Sequence, residues 1–515
     1  MKRIIIVFLI LVIGFVGTVI GLNLFFKNKI VNFLDNALAK NIDLHYDKVS
    51  VDSWGGGVTL SDAYLEIRKR GDTLVNTKIK TGRISFSGLS YWEYFVQNTV
   101  HIEEISVDNN SIWFLNNTSE NKEKTNGPIN LGKEINIDRI AIGETTLEML
   151  QPNDKKPNLK VKRASFSIED IVINRDIIMR KIPLNYSGML LQADSIFLEV
   201  SPYDNLTIGS LQLQKEDILL QNTEIKTKYS RSELSRQIDI ERDHIDLQIP
   251  EFSIKKIAWG FARDTLFTKA GLMQIKSPKL QIYRDKLVGD DRTAKPLYSK
   301  MLRDVPFDLM LDSLNVEDAS IVYLEKVKQN QPAGMINFSK LLINGSNLGN
   351  TYKKGADSTK IAINGMFLDT ATLDIDWSFD VKDEKDIFNL KGFMGEMPAA
   401  KINSFTEPNL RAKMVGQVER LYFNVNGDND RSYIDMQMKY DDFKIEILNK
   451  DSRKNKFFSA IANLFVSNNS RGKNEEGYRA GRGEATRDKT KSFFNYLWLN
   501  LKDGLVEVLL GNGKK

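Results

Sequence analysis

Side chains able to perform covalent or metal chemistry are scarce in this chain of 515 residues. It has no cysteine, so a thiolate nucleophile, a disulfide, an iron–sulfur cluster and a Cys-ligated zinc are all excluded. The three histidines, His45, His101 and His244, lie far apart, and none stands in a His-Glu-x-x-His spacing. We interpret each as a surface or strand residue. We therefore expect a protein that is not an enzyme and that uses no cofactor or metal.

Other features that could bind a ligand are too weak to predict a site. Gly481 and Gly483 form a fragment of a dinucleotide fingerprint, with no strand predicted before them. Residues 428–430 lack the twelve-residue calcium loop and its closing Glu, and they fit a hairpin turn. The six tryptophans are too dispersed for a base-stacking platform, and we interpret them as core or groove packing. A net charge of only +5 predicts no nucleic-acid partner.

The chemistry that the sequence favours is the burial of hydrocarbon. Apolar residues recur at positions p, p+2, p+5, p+7, p+12 and p+14, with mostly polar turn formers from p+8 to p+11. Five windows fit this spacing completely, and they begin at Val100, Ile135, Leu159, Leu206 and Leu309. At about 100° per residue the six directions nearly cancel, so no single helix face collects them. The spacing therefore predicts β-strands.

Strand geometry gives these positions one shared face. In a strand, p and p+2 point the same way, and one extra residue in a bulge absorbs the odd step to p+5. The polar quartet that follows, such as residues 108–111, is expected to reverse the chain. The predicted unit is a bulged antiparallel pair, repeated along the body of the chain. Insertions such as residues 116–128 are expected to form loops off the sheet.

A sheet of this kind has one apolar face, which must be closed on itself, covered by helices or lined by a ligand. Helical patterns that could cover it are few and short, such as residues 89–96. The apolar face is therefore a candidate groove for acyl chains, and a closed β core with nothing inside is the alternative that periodicity leaves open. The candidate lining residues are Ile102, Ile105, Val107, Ile112, Phe114, Ile137, Ile140, Ile142, Ile208, Leu211, Leu213, Leu311, Leu314 and Val316.

The N-terminal segment predicts a membrane anchor. Residues 4–26 carry no charge, and as a helix they would be about 35 Å long, enough to cross a bilayer core of about 30 Å. The run is longer than the apolar part of a cleavable signal peptide, so we expect it to be retained. Lys2 and Arg3 before it are opposed by Lys27 and Lys29 after it, which leaves a weak charge bias. We expect the short N-terminal end to be cytoplasmic.

The C-terminal end combines a basic stretch with an amphipathic helix. Between residues 450 and 491, eleven Lys and Arg stand against five acidic residues, and apolar residues then recur at helical spacing. Such a pair could lie on an anionic membrane surface. The alternative is a helix that plugs the end of the sheet beside a solvated loop. A further helix is predicted at residues 457–465. The membrane-surface candidates are Arg487, Lys489, Lys491, Phe494, Leu497, Trp498 and Leu501.

Together these features resemble the AsmA-like branch of the repeating β-groove superfamily, in its Bacteroidetes form. At the N-terminal end the resemblance lies in the uncharged span, residues 44–51, the turn and strand at 55–60, and a helix at 89–95 before 100–107. Further along, it lies in residues 295–306, 395–440 and 491–498. Within 395–440 the matching residues include Phe405, Glu407, Pro408, Gly416, Gln417 and Val418, and each local motif is degenerate.

The resemblance implies a bacterial inner-membrane protein, single-pass, with most of its chain in the periplasm. The expected fold is mainly β: a transmembrane helix, then an elongated, curved antiparallel sheet that forms a taco-like groove, with short capping helices and C-terminal amphipathic helices. Its segments would be a cytoplasmic stub (1–3), the anchor (4–26), the β-groove body (27–449) and the basic C-terminal segment (450–515).

The function implied is to hold or conduct phospholipids and so to contribute to outer-membrane lipid homeostasis. The partners would be phospholipid acyl chains and the inner membrane. The alternative is a nonenzymatic assembly factor that binds outer-membrane biogenesis proteins.

Overall fold

The fold is mainly β, as the sequence predicts, with 60% strand and 15% helix. A computed structural model describes residues 16, 18–32, 34, 41–68, 74–115, 132–151, 156–355, 357–448 and 474–510. The chain divides into two compact units. Unit 1 comprises Met1–Glu199 and Leu206–Leu220, and unit 2 comprises Val200–Asn205 and Gln221–Lys515.

Of the described strands, ten lie wholly or partly in unit 1. The hairpin formed by the last two contributes residues to both units. The ten strands are β1 (Ile42–His45), β2 (Lys48–Asp52), β3 (Gly57–Arg68), β4 (Val75–Ser87), β5 (Thr99–Leu115), β6 (Glu134–Leu150), β7 (Pro157–Ile173), β8 (Gly188–Glu199), β9 (Asp204–Gln214) and β10 (Asp217–Thr227).

The remaining described strands lie in unit 2. They are β11 (Asp243–Lys255), β12 (Ala258–Ala262), β13 (Thr265–Lys276), β14 (Lys279–Asp285), β15 (Asp308–Lys326), β16 (Gly334–Gly349), β17 (Thr359–Phe367), β18 (Ala371–Phe379), β19 (Phe388–Met394), β20 (Met397–Pro398), β21 (Ala412–Gly427), β22 (Arg431–Ile447) and β23 (Arg479–Thr486). Strand β23 lies within the predicted basic segment, where the sequence pattern predicts no strand.

Helices are fewer. Unit 1 has helical residues 16, 18–32 and 34, and a π-helical turn at Glu93–Gln97 that overlaps the short helix predicted at 89–96. Unit 2 has α1 (Arg231–Gln237), α2 (Tyr298–Arg303), a 3₁₀ turn (Ala399–Ile402), α3 (Asn403–Leu410) and α4 (Phe493–Leu510). No helix in the described part of the chain combines the length and hydropathy needed to cross a bilayer. Residues 4–15 of the predicted anchor, and the helix predicted at 457–465, lie outside the described residues.

The prediction of an entirely antiparallel sheet is wrong at three pairings. Strands β5 and β6 are parallel, and β15 pairs in parallel with both β13 and β14. An apolar period of two does not encode strand direction, and parallel neighbours require a long connection. Residues 116–133 between β5 and β6, and residues 286–307 between β14 and β15, supply connections of that length.

The predicted chain reversal at residues 108–111 is also wrong, because β5 runs without a break from Thr99 to Leu115. Strands β6, β7 and β15 are likewise continuous. Of the five windows, the one that begins at Leu206 does contain the predicted turn, between β9 and β10. In β5 the polar residues make a bend at Asn109, whose φ of 58° is a conformation that Asn tolerates.

A buried polar row accompanies this bend. Thr81, Asn110 and Thr145 pair across β4, β5 and β6, and they are 1%, 4% and 6% exposed. The amide of Asn110 donates to the carbonyl oxygens of Val107 and Gly143 and to Thr145 Oγ1, at 3.0–3.2 Å. Asn110 therefore satisfies two backbone carbonyl groups at the bend, where buried acceptors need partners.

Candidate functional site

In unit 1 the repeat positions of neighbouring strands align as apolar rows. Val107 pairs with Ile142, and Ile142 pairs with Phe166. Paired residues project from the same side of a sheet, so the rows form one apolar face. Two rows cross five strands: Phe86, Ile105, Ile140, Ile168 and Met189; and Ile84, Val107, Ile142, Phe166 and Leu191.

Further rows lie beyond the bend. One contains Ile79, Ile112, Leu147 and Val161. The next contains Phe114, Met149, Leu159 and Leu198. No member of these rows carries a charge.

The prediction that each odd step returns the chain to the same face is confirmed where packing tests it. Ile102 and Ile105, on either side of the first odd step, pack in one cluster with Ile137. In unit 2, Val316 and Ile321 lie on either side of the polar quartet that was expected to reverse the chain, and they also share a cluster, although Asp318 between them has a φ of 52°. The predicted bulge is not seen at the first odd step, since β5 keeps one register with β6 from Thr99 to Leu115, whereas the register of β15 with β16 shifts between Val316 and Ile321.

The apolar face of unit 1 is only partly covered. Ile137 is buried, at 6% exposure, whereas most other candidates on β5 and β6 keep part of their surface accessible. The opposite face is polar, with Ser85 Oγ and Ser106 Oγ 2.6 Å apart across β4 and β5. The half-buried candidates are Ile102, Ile105, Val107, Ile112, Phe114, Ile140 and Ile142.

The remaining candidates lie on β9 and β15. On β9, Ile208 is buried, and Leu211 and Leu213 are half-buried. On β15, Leu311 and Val316 are each 8% exposed, and Leu314 is half-buried. Within unit 2 the β15 positions continue along rows such as Ile275, Val316, Ile343, Ile363 and Ile375.

The last strands of unit 2 are sealed by α4. The ring of Phe493 stacks on Trp377, with centroids 4.8 Å apart and an interplanar angle of 10°. Tyr496 and Val508 on the same helix are 1% and 0% exposed. Gly481 allows this contact, since a Cβ there would lie 2.5 Å from Gly504 O. Gly481 and Gly483, the two glycines of the dinucleotide fragment, therefore have a packing role.

This packing favours the alternative in which the C-terminal helix plugs the end of the sheet over the one in which it lies on a membrane surface. Leu497 and Leu501 pack against the core of unit 2. Arg487 is 6% exposed and donates to Asn429 Oδ1 and to the carbonyl oxygen of Lys295. Among the apolar candidates, Phe494 and Trp498 are the exposed ones, at 64% and 40%.

The two other basic candidates also form ion pairs within unit 2. Lys489 Nζ lies 2.6 Å from Asp430 Oδ1, and Lys491 Nζ lies 3.0 Å from Asp290 Oδ1. Both lysines thus have carboxylate partners within the folded chain.

The polar side of unit 2 has a shallow depression of about 430 Å³, lined by residues that include Asp374, Asp376, Lys391, Phe393 and Tyr422. Its charged lining does not suit an acyl chain. In the described part of the chain, no three His, Asp or Glu residues gather where they could hold a metal ion.

Sequence reasoning missed two features near the start of β5. The interpretation of the tryptophans as packed is wrong for Trp54 and Trp92, which are 74% and 67% exposed. His101 bridges two strands and a helix: Nδ1 lies 2.8 Å from Glu93 Oε1, and Nε2 lies 2.9 Å from Asp138 Oδ1. The four aromatic residues within 91–95 are the sequence signal for the exposed aromatic surface. Local sequence gives no signal for the hydrogen bonds of His101.

We predict that His101 fastens the π-helical turn in a pH-dependent way. Its hydrogen bond to Glu93, and then that to Asp138, raises the pKa of the imidazole. The stabilisation is therefore fully present below about pH 6.5 and is lost as the pH rises through the folded-state pKa. His101→Gln should raise hydrogen exchange of residues 91–98 about two- to fivefold at pH 5.5 and less at pH 8.5.

The matched control is His244→Gln, because His244 Nε2 lies 2.9 Å from the carbonyl oxygen of Tyr229 in unit 2. It should leave exchange of residues 91–98 unchanged. An effect of His101→Gln that is equal at both pH values would contradict the proposed role of the imidazolium.

Comparison with known proteins adds no assignment. No family model matches the sequence, and no curated protein matches it either. Function must therefore be inferred from the apolar faces of the two units.

Proposed function

We propose that this chain is a nonenzymatic protein of the AsmA-like family that holds or conducts phospholipids on the apolar faces of its two units. The observation that carries the proposal is the set of uncharged rows on β4 to β8, most of whose members are half-buried. Acyl chains laid on them would leave water, which stabilises binding by about 0.8 kcal/mol per methylene.

The size of the face supports this ligand. Four inter-strand steps of about 4.8 Å give each five-strand row a length of roughly 19 Å. One leaflet of a bilayer core is about 15 Å thick, so a single tail fits along a row. Headgroups would stay at the edge of the face, in water.

The setting we propose is the bacterial inner membrane, with residues 4–26 as a retained anchor and most of the chain in the periplasm. The uncharged N-terminal run supports the anchor. In that location the groove would contribute to outer-membrane lipid homeostasis. The absence of cysteine suits the periplasm.

Native mass spectrometry of the full chain, released from detergent, tests the proposal. We expect phospholipid adducts that survive release. A chain free of lipid under the same conditions, yet crosslinked in cells to envelope proteins, would instead support the alternative of an assembly factor for outer-membrane proteins.

A further inference from the structure

Unit 1 exposes a group of large aromatic side chains where a soluble surface would be polar. Trp54 lies in the turn between β2 and β3, and the others lie in or beside the π-helical turn before β5. We name this group the aromatic collar. Its members and their exposures are Trp54 74%, Tyr91 36%, Trp92 67%, Tyr94 38% and Phe95 76%, and the adjoining Val96 is 57% exposed.

Hydrogen bonds hold the two parts of the collar together. The Tyr91 hydroxyl donates to the carbonyl oxygen of Ser53 at 2.9 Å, and Leu89 N donates to Gly56 O at 3.2 Å. Gly56 has a φ of 61°, and a Cβ there would come within 2.6 Å of Leu89 O, so only glycine allows this approach. The collar is therefore a built surface rather than a set of loose loops.

The collar is also tied to the N-terminal helix. Ser53 N donates to Asn23 Oδ1 at 2.6 Å. Around Asn23 the helix exposes apolar side chains, including Ile20 at 53%, Leu24 at 56% and Phe25 at 56%. The collar thus lies beside the C-terminal end of the uncharged run of residues 4–26.

Basic residues lie at the end of the uncharged run and against the collar. Lys27 and Lys29 follow the uncharged run directly. Lys133 Nζ lies 3.6 Å from the centroid of the Tyr94 ring. Tryptophan and tyrosine beside an apolar segment, with lysines at its end, are the composition of the boundary between headgroups and acyl chains.

We propose that the aromatic collar docks into the headgroup region of a phospholipid bilayer and fixes the orientation of unit 1 on the membrane. The inference rests on the membrane attachment proposed above, but not on lipid occupancy of the apolar face. Strand β5 begins at Thr99, directly after the collar. Docking therefore places the end of the apolar face that lies nearest the start of β5 at the bilayer surface. Tails leaving the membrane would then meet the apolar face without crossing water.

Site-directed spin labelling tests this docking, because a chain without cysteine accepts single labels with no background. Phe95→Cys is labelled in the full chain and reconstituted into vesicles of phosphatidylethanolamine and phosphatidylglycerol. The matched control is Met179→Cys, since Met179 is equally exposed, at 71%, in the loop between β7 and β8. Relaxation by oxygen should exceed that by a water-soluble nickel complex at Phe95, and the reverse should hold at Met179.

A third label, Ile20→Cys, separates the possible failures. If Ile20 is immersed and Phe95 is as accessible to nickel as Met179, the collar does not dock and the proposal is overturned while attachment stands. If Phe95 is shielded from both reagents, the collar contacts a protein, which also overturns the proposal. If Ile20 itself is in water, the proposed attachment fails and the docking fails with it.

Discussion

The double substitution Val107→Asp/Ile142→Asp is expected to reduce phospholipid bound to the full chain at least about tenfold. The two residues are paired across β5 and β6 in the middle of one apolar row, and both are half-buried. Aspartates there would bring two like charges to the place of an acyl chain, and burial of an unpaired carboxylate under hydrocarbon is strongly unfavourable. A loss of only about 1.4 kcal/mol in binding free energy already gives the tenfold change.

The chain supplies a matched control on the same two strands. Ser106 pairs with Ala141, one position earlier on each strand and on the opposite face. Ser106→Asp/Ala141→Asp adds the same charges to β5 and β6 and should leave the lipid-to-protein ratio unchanged. Equal lipid loss in the two variants, or none in either, would show that the apolar row does not hold lipid.

Gly481→Val is expected to release α4 from unit 2. A Cβ at this position would lie 2.5 Å from Gly504 O and 2.6 Å from Val508 N, and both contacts are with helix backbone that no rotamer change can move. Overpacking of this kind costs about 1–3 kcal/mol, and the displaced helix would expose Tyr496 and Leu509. Hydrogen exchange of residues 493–510 should rise, and proteolysis within α4 should become faster.

Ala480→Val provides the comparison, because Ala480 is the exposed neighbour on the same strand. It adds similar bulk on the other face of β23 and should leave α4 protected. Protection of α4 that is unaffected by Gly481→Val would mean that the helix does not pack closely on this strand.

Strand content and the apolar rows could be predicted from sequence because both depend on local periodicity. The positions of Ile105 and Val107 on one face follow from a period of two. The bulge predicted between Ile102 and Ile105 is wrong, since β5 and β6 keep one register there. The direction of β6 beside β5 could not be predicted, since parallel and antiparallel strands satisfy the same apolar pattern. Likewise, the bend at Asn109 resembles a turn until Thr81 and Thr145 are known to flank Asn110.

The surroundings of the candidate site depend on contacts between residues far apart in sequence. The pattern of α4 reveals an apolar face but not that Trp377 stacks on Phe493. Arg487 appeared free to bind anionic lipid, whereas Asn429 and the carbonyl of Lys295 accept its hydrogen bonds. Amphipathicity shows that a face must be covered, and only the tertiary structure shows by what.

Photo-crosslinking in intact membranes tests most directly whether acyl chains lie on the apolar face. Benzoylphenylalanine is placed in the full chain at Ile142 in one variant and at Ala141, its neighbour on the opposite face, in the other. We expect mass spectrometry to find a covalent phospholipid adduct at Ile142 and none at Ala141. Adducts of equal yield at both positions, or protein adducts alone at Ile142, would contradict lipid binding by this face.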